Sequence, residues 1–257
     1  MTIERTNTEL WYSGLGNLIH RDLFLERGGK FWIQQTSIWT LMTSGIAMLL
    51  LMLPEEIISQ AGPRFEIAYA MFFFTTSFIV SLFLPVILQG AIIDEAERGV
   101  TSWILSKPVS RSAYIMGKLL ASSLIFVLIT ALLQGFLSFI LFTTLGGPFD
   151  TIAFISAIGL VIILILYFTS LVIMLGTLTD NRSVVMATAL AITLGTQIMA
   201  NFVPQILFVV PLQLPVIGAS IALGAPALGI EIMFLSTILQ IGIFVMIALW
   251  SFGKKEI

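Results

Sequence analysis

Two stretches of this 257-residue chain, Ala68–Ile93 and Leu119–Thr144, contain no Asp, Glu, Lys or Arg. Each exceeds the roughly 20 apolar residues that a helix needs to cross about 30 Å of hydrocarbon. A soluble fold would have to coat such runs with polar surface, and this chain has little: 58% of its residues are hydrophobic and 10% charged. Six apolar runs occur in all, at about Phe31–Leu53, Ile67–Ile93, Leu119–Leu145, Ile152–Leu178, Val184–Val203 and Ile232–Phe252. They predict six transmembrane helices. Helices satisfy their own backbone hydrogen bonds in lipid, and runs this long are not the alternating ten-residue strands of a membrane barrel. The expected fold is therefore all-α integral membrane, organised as one domain over residues 1–257.

Basic residues orient the spans. Eleven of the 12 Lys and Arg fall in segments on one side of a six-span topology: Arg5, Arg21, Arg27, Lys30, Arg98, Lys107, Arg111, Lys118, Arg182, Lys254 and Lys255. Only Arg64 falls on the other. By the positive-inside rule both termini are expected in the cytoplasm, with the chain multi-pass in the cell membrane. Gln205–Ile230 is uncharged and long enough to cross, which would give seven spans. Pro211, Pro215, Pro226 and three glycines oppose one continuous helix there. A pair of short helices re-entering the outer leaflet between spans 5 and 6 is the expectation.

Residues 1–30 have no apolar core of the signal-peptide kind. Trp11, Leu15, Leu18, Ile19 and Leu23 share one side of a helix, with Asn17, His20 and Arg27 opposite. This pattern predicts an amphipathic helix on the cytoplasmic membrane surface, although Asp22 and Glu26 intrude on its apolar side. The chain has no cysteine, hence no disulfide framework or thiolate chemistry. Its net charge of −2 points to no nucleic-acid partner.

Chemistry of other kinds finds no residues to carry it. Gly29–Lys30, Gly117–Lys118 and Gly253–Lys254 lack the rest of a phosphate-cradling G-x-x-x-x-G-K-[ST] loop, so no ATPase site is expected in this chain. The single histidine, His20, leaves neither a base for a serine nucleophile nor the paired ligands of a zinc protease. No predicted span holds an ionisable residue of the kind that proton- and sodium-coupled carriers keep at mid-membrane. Energy is then expected from a partner.

Between two long charge-free runs lies a polar island, Asp94–Lys118, with Asp94, Glu95, Glu97, Arg98, Lys107, Arg111 and Lys118. It opens on an acidic cluster followed by Gly99. A short helix-compatible stretch runs to Pro108, and Ser110 stands ready to cap the third span. Trp103, Ile104 and Leu105 are large apolar residues in an otherwise polar segment. They either enter a partner's groove or lie at the headgroup level of the membrane.

The island resembles a known family. The arrangement E-x-G-x₈-P-V-S-R-x₅-G-K, read as Glu97, Gly99, Pro108, Val109, Ser110, Arg111, Gly117 and Lys118, is similar to that of ABC-2 type transporter permeases. The resemblance implies that this segment forms a coupling helix docking on a separate ABC ATPase subunit, which would bind ATP and magnesium. It implies a complex with a second permease copy or paralogue, with no cofactor or metal held by this chain. The docking residues implied are Asp94, Glu95, Glu97, Arg98, Gly99, Trp103, Lys107, Pro108 and Arg111. The family's six spans, amphipathic first helix and re-entrant helices agree with the pattern above. One departure is Val100, where the family usually has Thr directly after the glycine; here Thr101 follows it.

In span 5, Thr193, Gln197 and Asn201 recur every fourth residue, beside a small-residue stripe of Ala187, Ala191 and Gly195. The polar stripe is either a substrate route or permease interface, or a set of ordinary interhelical hydrogen bonds. At the level of function, an export permease driven by a separate ATPase is the leading reading. A non-transporting membrane sensor or scaffold is the alternative, and a stand-alone carrier a third.

Overall fold

The computed structural model describes residues 12–25, 28–58, 62–146, 149–200, 202–203, 205–206, 211–226 and 229–255. Six helical segments among them are long and apolar enough to cross a membrane: Lys30–Met52, Arg64–Glu97, Arg111–Gly146, Thr151–Leu178, Arg182–Ala200 and Ile230–Lys254. These are spans 1 to 6 below. They correspond one for one to the six charge-free runs, and the described residues contain no β-strand.

Burial sorts the spans into a centre and a periphery. The most apolar stretches of spans 4 and 2 are 67% and 61% buried, against 22% and 17% in spans 5 and 6. Span 4 packs against spans 2, 3, 5 and 6, and so forms the hub of the bundle. It is apolar all round, as a central helix should be, and Asp150 caps its start by accepting hydrogen bonds from the Ile152 and Ala153 amides. At that end Phe65, Tyr69, Phe142, Phe149 and Phe154 pack their rings together, with neighbouring centroids 5.4–6.3 Å apart.

Span 3 is not a uniform α-helix. It carries π-helical stretches at Val127–Leu133 and Phe142–Gly146. Directly after the first, Gln134 is fully buried and joins spans 1 and 3. Its Nε2 donates to Thr40 Oγ1 at 2.9 Å, and its Oε1 accepts from Ser44 Oγ at 2.9 Å. Ser44 and Ser138 hydroxyls lie 3.0 Å apart. A buried amide in hydrocarbon needs such partners, and the widened helix turn is where it finds them.

The described residues between spans 5 and 6 include a 3₁₀ turn, Pro211–Gln213, and a short helix, Leu214–Ala222. Nine residues of α-helix rise about 14 Å, half of what a crossing requires. Leu214, Pro215 and Ala219 are buried, and the helix packs on spans 2 and 4. The first of the expected pair of short helices would include residues 207–210, which lie outside those described.

The N-terminal segment forms an α-helix, Leu15–His20, continued by a π turn, Arg21–Leu25. Leu18 and Leu23 are buried, Leu15 and Ile19 join the core, and Asn17 and His20 face outward, in agreement with the amphipathic pattern. Its apolar side is turned onto the start of span 3 instead of being left free for lipid. Trp11, Glu26 and Arg27 lie outside the described residues.

Candidate functional site

The charged island begins as a continuation of span 2. After Gln89–Ile92 the helix resumes over Ile93–Glu97, so the acidic cluster sits on a helical end. Gly99 then adopts φ +70°, a left-handed conformation that most side chains resist, and the chain reverses into the short helix Val100–Leu105. Ser110 caps span 3, its Oγ accepting from the Ala113 amide at 3.0 Å.

Two faces of Val100–Leu105 differ sharply. Thr101 and Ile104, three residues apart, are buried, whereas Trp103 is 60% exposed. The Lys107 ammonium sits 3.4 Å above the Trp103 ring, a cation–π contact on open surface. Of the three large apolar residues in this helix, then, Ile104 belongs to the core, Leu105 is partly buried and Trp103 alone is presented outward.

Beneath the helix lies a buried ion cluster. Glu95, only 7% exposed, accepts from Lys118 Nζ at 2.7 Å and from an Arg21 nitrogen at 2.8 Å through Oε1. Its Oε2 accepts from the Tyr114 hydroxyl at 2.6 Å, and Thr101 Oγ1 lies 3.2 Å from that hydroxyl. Asp22 completes the set, 2.6 Å from Arg21 and 3.1 Å from Lys118. Among the described residues two cations face two carboxylates, and such pairing is what allows charges to be buried together. One network thereby joins the N-terminal helix, the end of span 2, the short helix and the start of span 3.

Further contacts tie the neighbouring ends to this centre. Arg182, at the start of span 5, pairs with Asp94 at 2.8 Å and Glu97 at 2.7 Å. Arg111 donates to the backbone carbonyls of Gly253 and Lys255 at 2.9 and 2.8 Å, closing the end of span 6. Tyr114 stacks on Phe252 with centroids 5.1 Å apart. Ser13 Oγ donates to the Pro108 carbonyl at 2.8 Å. The conspicuous sequence pattern P-V-S-R-x₅-G-K therefore gathers helix ends.

Gly117 shows how tightly. A Cβ placed there would lie 3.1 Å from Leu18 Cβ, so the glycine admits the N-terminal helix against span 3. Gly117→Val should force that helix away, at a cost of about 1–3 kcal/mol of overpacking. Hydrogen exchange over residues 12–25 should then accelerate. Unchanged protection in the variant would show that this close approach does not hold the helix.

The structure distributes the sequence-predicted residues unevenly. Glu97, Arg98, Gly99, Trp103, Lys107, Pro108 and Arg111 are exposed, and Asp94 is partly so. Glu95 is inside, and Arg111 is engaged with the end of span 6. Arg21, Asp22, Tyr114 and Arg182 belong to the same assembly but do not stand out by motif. The signal for Asp22 was its intrusion on an apolar helix face. Thr101, next to the departure at Val100, carries a hydroxyl into the network. Among the described residues, no group of three or more His, Asp or Glu is arranged to hold a metal ion.

In span 5, Thr193 is fully buried and donates to its own helix at Ala189 and more weakly to Ser81 of span 2. Gln197 is half-buried, and Asn201 lies outside the described residues. Ala187 and Ala191 are exposed, and no atom of another element lies within 4 Å of a Cβ added at Gly195. The small-residue stripe is thus on the outer face of the bundle, while Thr193 points into it.

Residues 40–220, more than two thirds of the chain, match the family model described as ABC-2 family transporter protein. No curated protein matches the chain.

Proposed function

Because the chain belongs to the ABC-2 transporter family, and so is a membrane permease of an ABC-type transporter, we propose that a separate ATPase drives it through Val100–Pro108. The observation that carries this reading is Trp103. A large aromatic stands 60% exposed on a helix whose other side is anchored by Thr101 and Ile104. Aromatic residues fixed on rigid elements are the usual anchors of protein interfaces. Glu97, Arg98, Lys107 and Pro108 supply polar surroundings for it. Glu95 acts from behind, holding the docking helix to spans 2 and 3.

The mechanism on this reading is mechanical. Closure of the ATPase around ATP and magnesium pushes on the short helix. Thr101, Tyr114, Glu95 and Lys118 pass that displacement to the ends of spans 2 and 3 and to the N-terminal helix. Two permeases, identical or paralogous, form the complete pathway, and the direction of transport is export. The docking helix and both termini face the cytoplasm, in keeping with the bias of the basic residues. The segment 205–230 re-enters the opposite leaflet as a lid.

The chain has no cysteine, so single cysteines at Ser102 and Ser106 provide clean attachment points on the exposed face. A complex purified through a tag on this chain should yield crosslinks from both positions to an ATPase. The same crosslinks would place the helix in the cytoplasm, where ATP is. Crosslinks confined to lipid or to this chain's own spans would overturn the docking assignment.

A further inference from the structure

Two features outside the docking helix meet at the charged end of span 2. One is a cleft of about 390 Å³ bordered by Asp94, Arg98, Lys118 and Arg182, with Val86 and Ile87 forming its apolar side. The other is the outer face of span 2, where Phe74, Phe78 and Val86 are 38–42% exposed. Phe74 and Phe78 stack nearly parallel, with centroids 6.1 Å apart. From Phe74 to Val86 the helix rises about 18 Å, close to the thickness of one hydrocarbon leaflet. Val86 belongs to both features, so the apolar track runs directly into the polar cleft.

The cleft's charge selects among amphiphiles. Arg182 is shared between Asp94 and Glu97, and Lys118 between Glu95 and Asp22. Arg98 makes no ion pair among the described residues and is exposed. Among the described residues, the lining charges (Asp94, Glu95, Arg98, Lys118 and Arg182) and the Asp22, Glu97 and Arg21 groups paired with them make four cations and four carboxylates, which sum to zero. A neutral surface carrying both signs at close quarters complements a dipolar group better than a simple anion. Its volume lies at the lower end of the about 300–1,000 Å³ of ligand sites, enough for a headgroup but not for a whole lipid.

We propose that this cleft and track bind one phospholipid with an ammonium-bearing headgroup, drawn from the leaflet on the island's side. The phosphate sits on the Arg98 guanidinium, the ammonium turns to the Asp94 carboxylate, and an acyl chain lies along Phe74, Phe78 and Val86. Arg98 is the residue to remove, because its loss takes away the phosphate partner without opening the buried ion cluster.

Native mass spectrometry of the detergent-purified chain, without any ATPase, tests this directly. Phosphatidylethanolamine should be retained at one per chain in preference to phosphatidylglycerol. Arg98→Ala should weaken that retention about tenfold, the effect of one charge-assisted contact, with helix content and melting temperature unchanged. Equal retention of phosphatidylglycerol, or undiminished retention by Arg98→Ala, would overturn the proposal. So would displacement of the lipid by free phosphoethanolamine, which would mark a site for a soluble ligand. A lipid-free dimer would make the track an interface between two copies and would likewise overturn it. Since no ATPase enters the measurement, its failure leaves the permease reading untouched.

Discussion

Glu95→Ala is expected to lower the stability of the chain by about 3–5 kcal/mol, the cost of leaving a buried charge without its partner. Glu95 accepts from Arg21, Lys118 and Tyr114 at 2.6–2.8 Å, and both cations are mostly buried. Without the carboxylate, Arg21 and Lys118 lose the anion they share, and among the described residues Asp22 is their remaining common partner. The sign of the effect can be checked by a second substitution. Glu95→Ala combined with Lys118→Met removes one charge of each sign, so the pair should be less destabilising than the sum of the two single changes. Melting temperatures of the three variants in one detergent measure this. Additive losses would mean that the two groups are not energetically coupled, and the network would lose its place as the joint between spans.

The other large effect concerns the partner. Trp103→Ala should leave the isolated chain within about 0.5 kcal/mol of its starting stability, because the ring is exposed, with Lys107 lying over it. Affinity for the ATPase should fall by about 2–4 kcal/mol, roughly 30- to 1,000-fold, as for a central aromatic anchor. The two variants thus separate by readout: Glu95→Ala is seen in the melting of the chain alone, Trp103→Ala only in its binding. Titration of the purified ATPase against this chain in nanodiscs gives the affinity. Unaltered affinity in Trp103→Ala would remove the residue that carries the proposed docking surface.

The residues behind these two predictions differ in how far the sequence exposed them. Trp103 stood out because a large apolar side chain in a polar segment needs an explanation. Its helix neighbour Ile104 looked the same, yet it is core. Composition places both in the island, and only the packing of the short helix onto the end of span 2 separates inside from outside. Glu95 was readable as one of an acidic group but not as the buried one. Asp22 looked like a flaw in an amphipathic helix, and its partners at Arg21 and Lys118 turn that flaw into the purpose of the position. Thr193 had two readings; it is buried, donating within its own helix to Ala189 and more weakly across to Ser81 of span 2, while Gln197 stays half-exposed.

By itself the sequence determined the membrane class, the six spans, the polar segment between spans 2 and 3, and the family pattern within it. Those properties are set by the cost of burying backbone and charge in hydrocarbon, which acts on each stretch of chain locally and so leaves its mark residue by residue. Tertiary structure alone decided which charges share a site. Arg21 reaches Glu95 across 74 positions, Arg182 reaches Glu97 across 85, and Arg111 reaches Gly253 across 142. Helical periodicity tells which side of a helix is apolar but not which other helix will cover it, so the partners of these charges become known only when the spans pack.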